Sequence, residues 1–164
     1  MSTLEQADIL AKSGKLKESE LCYIQILNEG HPKMSLIRYI LATIQVQLGK
    51  NKEAIENLNL AKHDFSEDSN FKNTYGVALL KTGNLNSAKS FFEEALKIRA
   101  DNFQATLNLA TTYFKTEDLN KSEEFFKKAI SINSRDPDLY FNYSQTLKAL
   151  DKNNEAEKFA RKAL

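Results

Sequence analysis

Two histidines, one cysteine and two glutamate pairs are the residues of this chain with the chemistry to act on a metal or a substrate. His31 sits in a Gly30-His31-Pro32 linker and His63 near a helix end, with no cysteine or second histidine at ligand spacing, so no metal site is expected. Glu93-Glu94 and Glu123-Glu124, read at a common register on second helices, predict a solvated outer face and not acid–base work. Cys22, between Leu21 and Tyr23, lacks a neighbouring basic cluster or histidine in sequence and is expected to pack as a small apolar group. No Gly-rich phosphate loop, G-x-S-x-G or H-x-x-x-H pattern is present. The chain therefore reads as non-catalytic, with no cofactor.

Bulk properties narrow the partners. Over 164 residues the formal net charge is +1, without the basic excess that displaces counterions from phosphate, which argues against nucleic acid. A content of 41% hydrophobic and 27% charged residues is too apolar for disorder and too polar for a membrane protein. No run approaches the roughly 20 apolar residues that span a bilayer. The start, Met1 to Gln6, lacks a basic segment followed by an apolar one, and a lone cysteine excludes an internal disulfide. A reducing, cytoplasmic setting is the expectation.

The elements that would carry any surface chemistry repeat. The stretch from Ser69 to Asn102 contains two helical patterns around a turn at Lys81-Thr82-Gly83-Asn84, and a step of 34 residues lays it over its neighbours. Tyr75 falls on Leu109 and Tyr143, Gly76 on Ala110 and Ser144, and Phe92 on Phe126. Ala61, Ala95, Ala129 and Ala163 form one column, and Ala54, Ala88, Ser122 and Ala156 another. A fixed period outranks local propensity, because it defines the architecture. Five units follow, at about 1–32, 35–68, 69–102, 103–136 and 137–164, the last incomplete, in a single array. The first is one residue longer than the rest, and Gly30-His31-Pro32 can absorb the excess.

Helix ends repeat as well. Asp68, Asn102 and Asp136 are N-cap residues one period apart, and Pro137 suits a first helical position. Gly14, Gly49 and Gly83 suit the left-handed end of first helices, where Glu117 and Asp151 stand in units four and five and predict tighter or more strained turns. The last unit lacks both the final turn of its second helix and a polar capping helix, so the sequence is expected to be a piece of a longer protein.

These columns resemble the tetratricopeptide repeat, with its pattern W-x2-L-G-x2-Y, then A-x3-F, then P. Unit three supplies Tyr75-Gly76-x2-Leu79, Ala88-x3-Phe92 and Ala95; unit four supplies Leu109-Ala110-x2-Tyr113, Ser122-x3-Phe126 and Ala129. The Trp position instead holds Arg38, Lys72, Thr106 and Tyr140, and units two to four lack the closing Pro. The resemblance implies an all-α, right-handed superhelical solenoid of antiparallel helix–turn–helix repeats. It also implies a concave groove, lined by first helices, that holds an extended peptide or a partner helix. Carried over by register, that groove is lined by Leu36, Tyr39, Thr43 and Val46, then Asn70, Asn73, Val77 and Leu80. It continues with Gln104, Leu107, Thr111 and Phe114, and ends with Asp138, Phe141, Gln145 and Lys148. Some apolar members are expected to pack between neighbouring first helices instead.

Two subclass features can be compared. The carboxylate clamp of chaperone-binding repeats looks absent, since its places hold Leu4 and Asp8, Tyr39 and Thr43, and Asn73 and Val77. Asn108 and Asn142 resemble a partial asparagine ladder of the kind that holds peptide backbone in O-linked N-acetylglucosamine transferase repeats, with Thr74 and Ile40 on the earlier rungs. Lys12, Lys81 and Lys115 share a register position; they read either as a basic edge for an acidic partner or, preferably, as cations that favour helix C-termini. The leading expectation is a protein-protein interaction scaffold. Its rivals are the substrate-recruiting arm of a larger enzyme, such as a glycosyltransferase or sulfotransferase, and a homo-oligomer joined through end repeats.

Overall fold

The computed structural model describes residues 3–164; Met1 and Ser2, which open the first unit, lie outside the described residues. Ten α-helices and no strands are found among the described residues. They are α1 (Thr3–Lys12), α2 (Leu16–Glu29), α3 (Met34–Gln47), α4 (Asn51–Ala61), α5 (Ser69–Lys81), α6 (Leu85–Ile98), α7 (Phe103–Lys115), α8 (Leu119–Ile132), α9 (Pro137–Ala149) and α10 (Asn153–Lys162). Each odd-numbered helix packs on the even-numbered one that follows, and each hairpin packs on the next, with α5 also touching α3 and α7, and α7 touching α9. The result is an all-α solenoid.

Small side chains set how closely the two helices of a hairpin cross. Ala42, Gly76, Ala110 and Ser144 are buried on first helices, and Ala54, Ala88, Ser122 and Ala156 are buried on second helices. Ser122 Oγ donates to the Ala110 carbonyl at 3.0 Å, and Ser19 Oγ makes the equivalent bond to Ala7 at 2.8 Å in the first hairpin. A methyl group at Gly76 would lie 2.5 Å from Cε1 of the fully buried Phe92, so this crossing admits no side chain without moving the ring. Leu58, Phe92 and Phe126 fill the space beyond, each fully buried.

Helix ends follow the sequence closely. Asp68 accepts from the Phe71 N–H, Asn102 from Ala105, and Asp136 from both Asp138 and Leu139, and Pro137 occupies the first turn of α9. At the other end, one pair of bonds closes every first helix. In α5 Gly83 N–H bonds to the Leu80 carbonyl and Asn84 N–H to Leu79; in α7 Glu117 bonds to Phe114 and Asp118 to Tyr113. The turns at Glu117 and Asp151 are thus no tighter than those at glycine, but both residues carry the left-handed φ, 62° and 59°, that L side chains disfavour.

The glutamate pairs need correction. Glu93 and Glu123 are 30 residues apart, so they do not share a register, and Glu123 is not on a solvated face. It is 8% exposed and held between Lys152, at 2.6 Å from Oε2, and Lys127, at 2.8 Å from Oε1. Its true equivalent, three hairpins earlier, is Glu20, which is 3% exposed and pairs with Lys50 at 2.6 Å; Lys50 and Lys152 are likewise equivalents. Both bridges join one hairpin to the next.

Three stability outcomes are expected in denaturation experiments. Gly76→Ala lowers stability by about 1–3 kcal/mol through overpacking against Phe92. Glu117→Gly raises it by about 1 kcal/mol by relieving the left-handed backbone; an unchanged midpoint would count against strain at that turn. The two lysines hold the pKa of Glu123 below its usual 4.5. The stabilisation they give is therefore present above that value and lost as pH falls through the depressed one. Glu123→Gln should cost stability near neutral pH and progressively less on acidification.

Candidate functional site: a cleft across three first helices

The first helices α5, α7 and α9 present a cleft of about 600 Å³. Its walls run diagonally, from Val77, Leu80 and Lys81 on the last turns of α5, along α7 through Gln104, Leu107, Asn108, Thr111 and Lys115, to Asp136, Asp138 and Asn142 at the start of α9. Ten of the residues expected from the sequence meet here: Val77, Leu80, Lys81, Gln104, Leu107, Asn108, Thr111, Lys115, Asp138 and Asn142. Asp136 joins them; its sequence signal, the repeating N-cap, pointed to helix initiation and not to a cleft wall.

An amide pair spans two of these helices. Asn108 Nδ2 donates to Asn73 Oδ1 at 3.0 Å, tying α7 to α5. That bond fixes both amides and leaves Asn108 Oδ1 to accept and Asn73 Nδ2 to donate. Thr111 Oγ1 donates back to the Leu107 carbonyl at 3.0 Å, so its hydroxyl hydrogen is engaged within its own helix. Leu107, only 8% exposed, is a member of the core cluster with Phe126, Leu139 and Tyr143.

The remaining expected residues lie elsewhere. Tyr39 is half-buried, its ring 5.1 Å from those of Phe65 and Phe71, and burial raises its pKa. Thr43 Oγ1 bonds to the Tyr39 carbonyl at 3.0 Å. Phe114 is half-buried, and Phe141 is 55% exposed. Gln145 lines a separate depression between α9 and α10 with Lys148 and Glu157. At the clamp-like position of α1, Asp8 accepts a hydrogen bond from the Tyr23 hydroxyl, so that carboxylate is held by its own hairpin.

Charge is divided between the cleft's ends. Lys81 and Lys115 stand exposed in the last turns of α5 and α7, while Asp136 and Asp138 open α9. Among the described residues neither lysine forms an ion pair, and nor does Asp138. His31 Nδ1 accepts from the Lys33 N–H, His63 is exposed beside Asp64, and Cys22 packs half-buried against the cluster around Tyr23. No group of three or more His, Cys, Asp or Glu side chains able to hold a metal occurs among the described residues. No helix among them is long and apolar enough to cross a membrane.

Tetratricopeptide repeat models match residues 79–128 and 125–158, a span that includes α7, α8, α9 and most of the cleft. These residues belong to the tetratricopeptide repeat family. Repeats of this family are in general scaffolds for protein interaction, and membership carries that general role to this array. Solved structures share its fold. MamA superposes with a TM-score of 0.81 at 19% identity, over 96% of this chain and 91% of that one. A thermophilic tetratricopeptide repeat protein of Thermus thermophilus gives 0.80 at 19% identity, over 99% and 88%. PilF of Pseudomonas aeruginosa gives 0.82 at 16%, over 98% and 73%. Among curated proteins, none matches the chain in sequence.

Proposed function

We propose that the chain acts as a single array that binds an extended polypeptide segment of a partner protein in the cleft formed by α5, α7 and α9. The observation that carries this reading is that Asn108, fixed by its bond to Asn73 on α5, and Asn142 both line the cleft. Asn108 Oδ1 and the second Asn108 Nδ2 hydrogen, held in fixed orientation by the bond to Asn73 on the adjacent helix, match the N–H and C=O that an extended backbone offers at every residue. Val77, Leu80 and the methyl group of Thr111 supply apolar contact around them, and sequence tolerance follows from reading backbone in place of side chains. Tyr39 and Leu107 contribute by fixing the spacing of the first helices.

The alternative function, recruitment of a substrate to a catalytic domain elsewhere in a larger enzyme, uses the same cleft and the same amides. Asn108→Ala combined with Asn142→Ala should weaken binding of a captured partner peptide by about tenfold, as expected for the loss of one or two net hydrogen bonds. Circular dichroism should show helicity unchanged. Equal affinity of the double variant and the parent, measured by calorimetry, would remove the amides from the site.

A further inference from the structure

Within that binding reading, we infer that the cleft selects a polypeptide segment of mixed charge and fixes its direction. An acidic residue sits at the Lys81–Lys115 end, and a basic residue at the Asp136–Asp138 end. Lys81 and Lys115 occupy equivalent positions one period apart, at the C-terminal ends of two adjacent first helices, so their ammonium groups share one edge of the cleft. Asp136 and Asp138 lie at the start of α9, at the opposite edge, because alternate helices of an antiparallel stack run the same way.

These charges remain available. Lys81, Lys115 and Asp138 are exposed and form no ion pair among the described residues, whereas other lysines near hairpin junctions, Lys50 and Lys152, are consumed by Glu20 and Glu123. Asp136 uses its carboxylate to cap α9 but keeps its negative charge facing the same edge. Between the two ends the floor is uncharged: Leu107, Asn108, Thr111 and Asn142.

Separation sets the ligand's spacing. From Gln104 to Lys115 the α7 helix rises roughly 16 Å at about 1.5 Å per residue. An extended chain covers that distance in about five residues at ~3.3 Å each. A segment with an acidic and a basic residue about five positions apart, joined by small or polar residues, meets both edges at once. The reversed segment places like charge against like and is rejected.

The test is selection of peptides from a displayed library of random dodecapeptides on the full chain, and then on a K81E/K115E variant. For the parent, enriched peptides should carry acidic and basic residues about five positions apart in one constant order. Fluorescence anisotropy with a selected peptide should show an affinity loss of about tenfold or more for its charge-reversed counterpart. The double charge reversal should abolish selection for the acidic residue while preserving that for the basic one. Enrichment of peptides without a charge pattern, dependent on Asn108 and Asn142, would overturn the polarity and leave the backbone-binding reading intact. Failure to enrich any peptide would overturn both.

Discussion

The structure depends on how closely the two helices of each hairpin approach. That distance is set by small residues at the crossing, down to Gly76, with no side chain at all, in the third hairpin and serine hydroxyls donating to backbone carbonyls in the first and fourth. Close crossing brings the large residue of the second helix, Leu58, Phe92 or Phe126, into position to form the floor on which the next hairpin rests. In a quasi-linear array every element contacts only its neighbours, so an error in one crossing is passed to the next junction and not averaged over a common core. The cleft spans three first helices, and its width is therefore a sum of such crossings.

Junctions between hairpins are less uniform than crossings within them. Two use a glutamate and a lysine at fixed repeat positions, Glu20 with Lys50 and Glu123 with Lys152. At the two junctions between, the same positions hold Ile55 and Asn84, and Lys89 and Asp118. Burying an ion pair gains little net stability against well-packed apolar groups, but removing one partner is costly. Because the junctions carry different pairs, a hairpin docked one place out of order would set Glu20 or Glu123 against a residue that cannot neutralise it.

The architecture was legible because its determinants are local and recur: a 34-residue period, N-caps at Asp68, Asn102 and Asp136, and left-handed residues closing first helices. The site was legible only in part, because one face of a first helix serves two purposes. Tyr39 and Phe114 occupy faces that the repeat pattern treats alike, yet Tyr39 is drawn into an aromatic cluster by Phe65, a residue in the connection after α4 that no repeat column marks. Gln145 shares the register of Thr111, but α9 has no further first helix packed on its open side among the described residues, so its neighbours are those of α10. Glu123 escapes a comparison of charge pairs by composition alone. Its equivalence to Glu20 becomes visible only when the extra residue of the first unit is counted.

The same constraint that starts and stops the helices also shapes the candidate site. A helix N-terminus favours an anionic cap and a C-terminus a nearby cation, because the backbone leaves unsatisfied N–H groups at one end and carbonyls at the other. In an isolated helix this has only local effect. When alternate helices run in one direction, the caps of α5, α7 and α9 fall along one edge of the array and the terminal Lys81 and Lys115 along the other. Asp136 and Asp138 face Lys81 and Lys115 across an uncharged floor for that reason. The polarity of the cleft is therefore tied to the stability of the helices that build it, and a substitution that removes a cap to alter binding removes a helix-terminal interaction as well. Lys81 and Lys115, exposed and free of ion pairs among the described residues, are the cleft charges that can be changed with least cost to the fold.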